Sequence, residues 1–439
     1  MGRPTPPSGP TRRSRAPVRH PARNAPPTAV PGSQTPTVLL IGLLALLSAV
    51  SPLATDMYLP AFPDLAGDLR TTASGVQLTL TSFMLGLAAG QLVIGPLSDS
   101  TGRRGPLLIG TVACLLAGIA CALAPTVTVL VVARFLQGFT GAAGVVLSRA
   151  IITDTTRGPA TAQLMSLMMV IGGIMPVLAP LGGGLILEVT DWRGVFWVIT
   201  ALVAVMVVGV ATSVRETLPP ERRHAGGLRT LLGHTGAVVR DRGYVSATLV
   251  FALGFGALFS YVSASPFVLQ NVVGLSTLEY SLVFGVNSVG IMAAGALNIR
   301  LVGRFAVRRI LAVGVAVMLA SAVGLFTAVL LGTPAAPTLV SMFLLTSSMG
   351  LVLGNGSALA MRAVPTSAGT ASAFMGAFQF LLGAAVAPLV GLGGEHDPLP
   401  MAAFVLGSAV LSAACFLAVP REDTATPRPA TARLGDHDL

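Results

Sequence analysis

Ala54-Thr55-Asp56-Met57-Tyr58-Leu59-Pro60-Ala61-Phe62 closes the first long apolar run of the chain, which begins near residue 37. Asp56 is read as the only carboxylate lying inside a hydrophobic segment rather than in a loop. A carboxylate in hydrocarbon costs about 2.5–3.5 kcal/mol on insertion scales, so an intramembrane acid is a functional candidate by default. The plainer alternative is an interfacial aspartate that caps a broken helix.

Working outward, the 439 residues are 53% hydrophobic and only 10% charged, with a mean hydropathy of +0.80. A soluble domain carries about 25% charge, so this composition specifies a polytopic membrane protein. A span needs about 20 apolar residues. Spans are expected near 37–60, 74–97, 105–124, 126–148, 160–187 and 192–214, then near 243–270, 277–299, 309–331, 337–361, 367–392 and 399–420. The expected organisation is an Arg/Pro-rich disordered tail (1–36), a six-helix half (37–214), a central loop (215–242), a second six-helix half (243–420) and a short tail (421–439). Arg12-Arg13 superficially resembles a secretory signal, but the apolar run starts some 25 residues later and more spans follow. An uncleaved first helix is expected.

All 27 basic residues are arginine. Without lysine there is no phosphate-loop lysine and no Schiff base, which excludes an ATP motor on this chain. With the amino terminus in the cytoplasm, Arg70 and Arg193 fall outside, Arg134 lies inside a span, and the other 24 arginines are cytoplasmic. The outer loops carry Asp64, Asp68, Glu188, Asp191, Glu279, Glu395 and Asp397 instead. Both termini are therefore expected in the cytoplasm. The net charge of +10 is spread through short loops without interleaved aromatics, so no nucleic acid partner is expected. Cys114, Cys121 and Cys415 fall in apolar segments without ligand spacing, and the five histidines lie in tails or loops. No metal, cofactor or catalytic residue is expected.

The halves echo each other. Ala179-Pro180-Leu181-Gly182-Gly183 recurs as Ala387-Pro388-Leu389-Val390-Gly391, and Arg103-Arg104 has a counterpart in Arg304 and Arg308-Arg309. Such duplication places a transport site at the interface between halves.

Gly95-Pro96-Leu97-Ser98-Asp99-Ser100-Thr101-Gly102-Arg103-Arg104-Gly105 reads as a short turn between spans two and three. Gly95 and Gly102 allow a tight turn, Asp99 is suited to cap a neighbouring helix start, and the arginines pin it to one face. It resembles the signature loop of the major facilitator superfamily, G-x-L-x-D-x-x-G-R-[RK]. That resemblance implies a conformational gate of Gly95, Asp99, Gly102, Arg103 and Arg104 that holds the cytoplasmic side closed. Arg134-Phe135-Leu136-Gln137-Gly138 is similar to the R-x-x-Q-G pattern of proton-coupled drug antiporters, where the arginine serves proton coupling. At ~1.5 Å rise per residue, Asp56 and Arg134 lie at similar depth and are placed to meet, directly or through water. A structural arginine bonded to backbone carbonyls is the alternative. Pro176, Ala179, Pro180, Gly183 and Gly184 resemble the antiporter motif G-x-x-x-G-P-x-x-G-G, with Met175 and Ala179 at two of its glycine positions; close helix packing without antiport is the alternative.

Thr55-Asp56-Met57-Tyr58-Leu59-Pro60, Arg149–Asp154, Asp191-Trp192-Arg193, Glu216-Thr217-Leu218, Ser265-Pro266-Phe267-Val268 and Ala368–Ala373 look like the Bcr/CflA drug-resistance transporters, over about residues 37–420. Some proton-coupled relatives carry a second acid two turns before the first; Ser48 stands there here. The resemblance implies an all-α protein of twelve transmembrane helices in a bacterial plasma membrane, exporting small amphipathic compounds against protons through Asp56 and Arg134. Polar candidates for the substrate cavity are Tyr58, Gln77, Gln137, Tyr261, Asn287 and Gln379, each as readily a helix–helix contact. The expected partners are a small-molecule drug or metabolite, protons and the lipid bilayer, with the chain a monomer. An exporter or uptake symporter for a natural metabolite is the alternative; an enzyme or a membrane sensor lacks the necessary residues or domain.

Overall fold

The computed structural model describes residues 37–223, 240–364 and 368–420, together with Gly2. The tails expected at 1–36 and 421–439 and most of the central loop lie outside them.

The described residues form helices joined by short turns: α1 (Val38–Asp56), the short α2 (Phe62–Asp68), α3 (Ala73–Thr101), α4 (Arg104–Ala122), α5 (Val127–Thr155), α6 (Pro159–Leu187) and α7 (Trp192–Ser213). The second half has α8 (Arg242–Phe267), α9 (Thr277–Val302), α10 (Val307–Leu330), α11 (Ala335–Ala363), α12 (Ala368–Val390) and α13 (Leu399–Leu417). Eleven of the helical stretches are long and apolar enough to cross a membrane, and Phe374–Val390 is a shorter apolar one within α12. Leu, Val, Ile and Phe side chains such as Ile109, Leu116, Val205 and Leu411 stay exposed around the bundle. In water that surface would be costly; against lipid tails it is the expected exterior.

The chemistry of the turns explains where the helices start. Thr72 accepts from the Gly75 N–H, Thr126 from Val129, Asp191 from Arg193 and Gly194, and Asp241 from Tyr244. Ser276 and Glu279 close a capping box on α9. Each satisfies amide donors that would otherwise face the interface unpaired.

Three spans differ from their sequence limits in ways that matter. The first helix ends at Asp56, where a single 3-10 turn at Leu59–Ala61 leads into α2. The expected turn over 95–105 is mostly helix: α3 continues through Gly95 and Asp99 to Thr101, and only Gly102 and Arg103 turn. Likewise α5 runs to Thr155, so Asp154 is a helical residue. Polar residues lengthen these helices because, beyond the hydrocarbon, water and side chains satisfy the final turns.

Successive long helices run antiparallel, which gives the bundle two ends: one carries Asp56 and the turn before α3, the other carries Gly102 and Arg103. Within the first half, α3 and α5 approach closely through reciprocal glycines. A Cβ on Gly86 would meet the Phe135 carbonyl, and one on Gly138 would meet the Phe83 carbonyl. Small residues at such crossings are how membrane helices gain packing contact without a hydrophobic drive. The crossing sets Phe83 beside Arg134.

The five hydrogen bonds that join the two halves among the described residues lie between the Asp56 end and mid-helix. Ser74 donates to the Pro388 carbonyl, Gln77 Nε2 to that of Ser263, Thr81 to that of Ala384, Gln270 to that of Pro60 and Ser288 to that of Pro176. The bundle is therefore closed at the Asp56 end.

Candidate functional site at the Asp56 end

Asp56 occupies the last position of α1, half-buried, with Thr55 and Met57 buried on either side. The Thr55 hydroxyl bonds back to the Ser51 and Pro52 carbonyls. Pro52, inside α1, has no N–H to give the Ser48 carbonyl four positions back.

Arg134 is fully buried on α5. Its Nη1 donates to Gln137 Oε1 at 2.8 Å, one turn along the same helix. The guanidinium carbon lies 4.4 Å from the Tyr58 ring centre, 4.3 Å from that of Phe83 and 5.6 Å from that of Phe196. Nε and Nη2 have no hydrogen-bond partner. Arginine keeps its charge at any accessible pH, so ring faces replace part of the water this cation has lost. The expected ion pair is absent: no described salt bridge includes Asp56 or Arg134. Arg134 instead contacts Tyr58, two positions beyond Asp56, whose backbone has already turned out of α1. Nor is Arg134 bonded to backbone carbonyls, as the plainer alternative would have it. At the position of the second acid of some relatives, Ser48 pairs with the Ser148 hydroxyl at 2.8 Å.

Five of the six cavity candidates are buried. Tyr58 shares a hydrogen bond with Thr79 Oγ1 at 3.1 Å. Gln137 serves Arg134 and also receives the Cys121 thiol at 3.7 Å. Asn287 donates to the Tyr261 hydroxyl at 2.7 Å, and that ring stacks on Phe284. Gln77 crosses to Ser263 and leaves its Oε1 unpaired. Gln379 is half-buried on α12. In this conformer Gln77, Gln137, Tyr58, Tyr261 and Asn287 thus make helix–helix contacts.

The antiporter-like motif lies along α6. A Cβ on Gly183 would collide with the Met57 carbonyl, and one on Gly184 with the Ser281 hydroxyl of the other half. The motif therefore packs α6 against both the end of α1 and α9.

At the opposite end, Arg103 pairs with Asp99 at 2.6 Å and with Asp154 at 3.1 Å. Gly102 turns with a φ of +104°, and a Cβ there would meet Glu216 Oε2 at 2.5 Å. The α4 amino terminus is capped by Glu216 and not by Asp99: its carboxylate accepts from the amides of Arg103, Arg104, Thr217 and Leu218. Partial burial would raise the Glu216 carboxyl, but these four N–H groups outweigh it and hold the group below the ordinary carboxylate range. Asp99 is taken up by Arg103 one turn later, and Arg104 reaches the Ala211 carbonyl. All these contacts stay within the first half and the start of the central loop. In the sequence Asp154 and Glu216 stand only as parts of family-like strings; nothing there indicates that they meet Arg103.

The sequence profile of the Major Facilitator Superfamily matches residues 44–388. The chain belongs to the Major Facilitator Superfamily. This major facilitator is 38% identical over 382 residues to the uncharacterized MFS-type transporter YdgK of Bacillus subtilis, covering 87% of this chain and 95% of that protein. It is 30% identical over 378 residues to the bicyclomycin resistance protein homolog of Haemophilus influenzae, covering 86% and 95%. It is also 27% identical over 334 residues to the multidrug resistance protein MdtL of Klebsiella pneumoniae, covering 75% and 82%. Among solved structures, it resembles a bacterial homolog of the human lysosomal transporter Spinster, inward-facing and unoccupied. The TM-score is 0.70 at 16% identity, over 87% of this chain and 96% of that one. As a major facilitator related to these bacterial proteins, the chain is a multi-pass membrane transporter.

Proposed function

We propose that this major facilitator exports small amphipathic compounds, of the kind its drug-resistance relatives are named for, in exchange for protons. The observation that carries the reading is the placement of Asp56. It is a half-buried carboxylate on the closed side of the junction between halves, and no basic side chain pairs with it among the described residues. A buried acid without a counter-ion is stabilised by taking up a proton, and a charge that comes and goes is what couples a gradient to a conformational change.

Arg134 is the proposed second member of the coupling pair. A cation held by ring faces and one amide oxygen, with two nitrogens unpartnered, is prepared to accept a carboxylate when the halves move. In that rearrangement Asp56 would lose its proton to the cytoplasm, the carboxylate left behind pairing with Arg134, and substrate in the cavity would favour release. Both termini are taken to be cytoplasmic on the arginine distribution, which makes the closed Asp56 end the outer one. The half-buried Gln379 and the buried Tyr261–Asn287 pair are the proposed substrate contacts in the second half, with Tyr58, Gln77 and Gln137 in the first. The Arg103–Asp99–Asp154–Glu216 group is the proposed gate. In the closed-outside conformer it braces the first half, leaving its cross-half contact to the other conformer.

The test is drug accumulation in cells expressing wild type or Asp56→Asn at matched membrane levels, with chloramphenicol and bicyclomycin in the panel, with and without a protonophore. Wild type is expected to lower accumulation, and both the protonophore and Asp56→Asn are expected to abolish this. Efflux that survives Asp56→Asn intact overturns the coupling role of Asp56; a panel in which no compound is depleted overturns the drug assignment.

A further inference from the structure

Two carbonyls at the interface are set free by proline. Pro180 has no N–H, so the carbonyl of Pro176, four positions back on α6, lacks its helical donor. Pro388 does the same to Ala384 on α12. Each freed carbonyl receives a hydroxyl from the opposite half: Ser288 Oγ on α9 donates to Pro176 at 3.1 Å, and Thr81 Oγ1 on α3 donates to Ala384 at 3.0 Å. Thr81 is 7% and Ser288 4% exposed, so water competes poorly at either place.

The two arrangements are the same one, repeated. Pro180 and Pro388 are 208 positions apart, as are Pro176 and Ala384; Ser288 moved back by the same interval falls one position from Thr81. A helical Ser or Thr ordinarily bonds a carbonyl of its own preceding turn, as Thr111, Thr200, Ser260 and Thr346 do here. Ser288 keeps that bond, to Phe284 at 3.0 Å, and adds the cross-half one. Thr81 makes only the cross-half bond.

We propose that Thr81–Ala384 and Ser288–Pro176 are matched closing contacts that set the balance between the conformer closed at the Asp56 end and one open there. Thr81 and Ser288 act as positioning residues for transport, whatever compound is carried. The contacts suit a reversible joint because each hydroxyl has a carbonyl of its own helix to return to when the halves part. The prolines are essential to it, since with an N–H at 180 or 388 the acceptor would already be engaged.

The test measures the distance between spin labels at Arg70→Cys and Leu392→Cys, exposed positions flanking α3 and α12. The full chain is used in nanodiscs, without substrate, on a background lacking the three native cysteines. Interhelical hydrogen bonds in membranes change an equilibrium by about threefold each. Thr81→Val and Ser288→Ala are each expected to lower the closed-to-open ratio by about that factor, and together by on the order of tenfold. Thr81→Ser keeps the hydroxyl and is expected to match wild type. Pro388→Ala restores a helical donor to Ala384; it is expected to shift the ratio as Thr81→Val does and to add nothing to that variant. Wild-type distributions in Thr81→Val and Ser288→Ala, or full additivity of Thr81→Val with Pro388→Ala, would overturn the proposal.

Discussion

The guanidinium of Arg134 lies 4.4 Å from the ring centre of Tyr58, while Asp56, two positions earlier, is not paired with it. The chain leaves α1 between those two residues. The turn therefore decides which chemistry the arginine meets, a ring face in this conformer and not a carboxylate.

The ring should then matter more than its hydroxyl. Tyr58→Phe gives up the bond to Thr79 but keeps the face over Arg134. Its transport rate is expected within about threefold of wild type, whereas Tyr58→Leu, which removes a desolvated cation–π contact of about 2 kcal/mol, is expected to lose about tenfold or more. Efflux assays at matched expression compare the two. Equal losses would separate Arg134 from the ring.

Gln137 accepts the hydrogen bond that the fully buried Arg134 donates from Nη1. Gln137→Leu is expected to destabilise the protein by about 1–3 kcal/mol, because it leaves a buried charge unsatisfied. Arg134→Met combined with Gln137→Leu is expected to recover part of that loss, since removing both partners of a buried polar pair is often near neutral. Thermal unfolding midpoints in detergent measure both, and a double variant less stable than Gln137→Leu contradicts the account.

Two glycines of α6 with different surroundings separate packing from composition. A methyl group added at Gly183 would run into the Met57 carbonyl, whereas one added at Gly172 would have no neighbour within 4 Å. Gly183→Ala is expected to push α6 from the end of α1, costing about 1–3 kcal/mol and most of the transport. Gly172→Ala is expected to be tolerated or slightly stabilising. Purification yield and transport of the two variants, side by side, give the answer.

At the other end, Glu216 has its carboxyl held below the ordinary range by backbone amides. A depressed value means its contribution is full above the ordinary carboxylate range and is lost as pH falls through the depressed folded value. Glu216 is largely exposed, so the effect is screened and of order 1 kcal/mol. Glu216→Gln is expected to lower the unfolding midpoint at pH 7 and to match wild type near pH 3. A difference that stays constant with pH would mean the charge is not what the amides hold.

Much of this molecule was legible without its fold. Of the twelve apolar runs expected, eleven appear among the described residues as helical stretches long enough to span and one as the shorter apolar stretch in α12; their limits fell within a few residues of those observed for α4, α6 and α7. The gate string named Asp99 and Arg103 but gave Asp99 a capping role; it pairs instead with Arg103, four positions on. The string did not disclose that Asp99 through Thr101 continue α3, since a run of Gly, Pro, Ser and Asp carries turn propensity that tertiary contacts override.

What the sequence by itself determined is the set of properties that depend on composition and short-range order. These are a membrane bundle in two echoing halves, an acid at the end of the first span, an arginine in another, and prolines that must free carbonyls wherever they fall inside a helix. What only the tertiary structure decided is which groups those features meet. Arg134 rests on Tyr58 and Phe83 because Gly86 and Gly138 let α3 and α5 approach. Glu216 caps α4 because α7 ends beside it. Thr81 and Ser288 reach the carbonyls of Ala384 and Pro176 because the halves close at the Asp56 end. The physical reason is the same in each case: a freed carbonyl, a buried cation or an open helix end fixes that a partner is required. Its identity depends on which side chain the packing brings within about 3 Å, and that is set by residues far away in the chain.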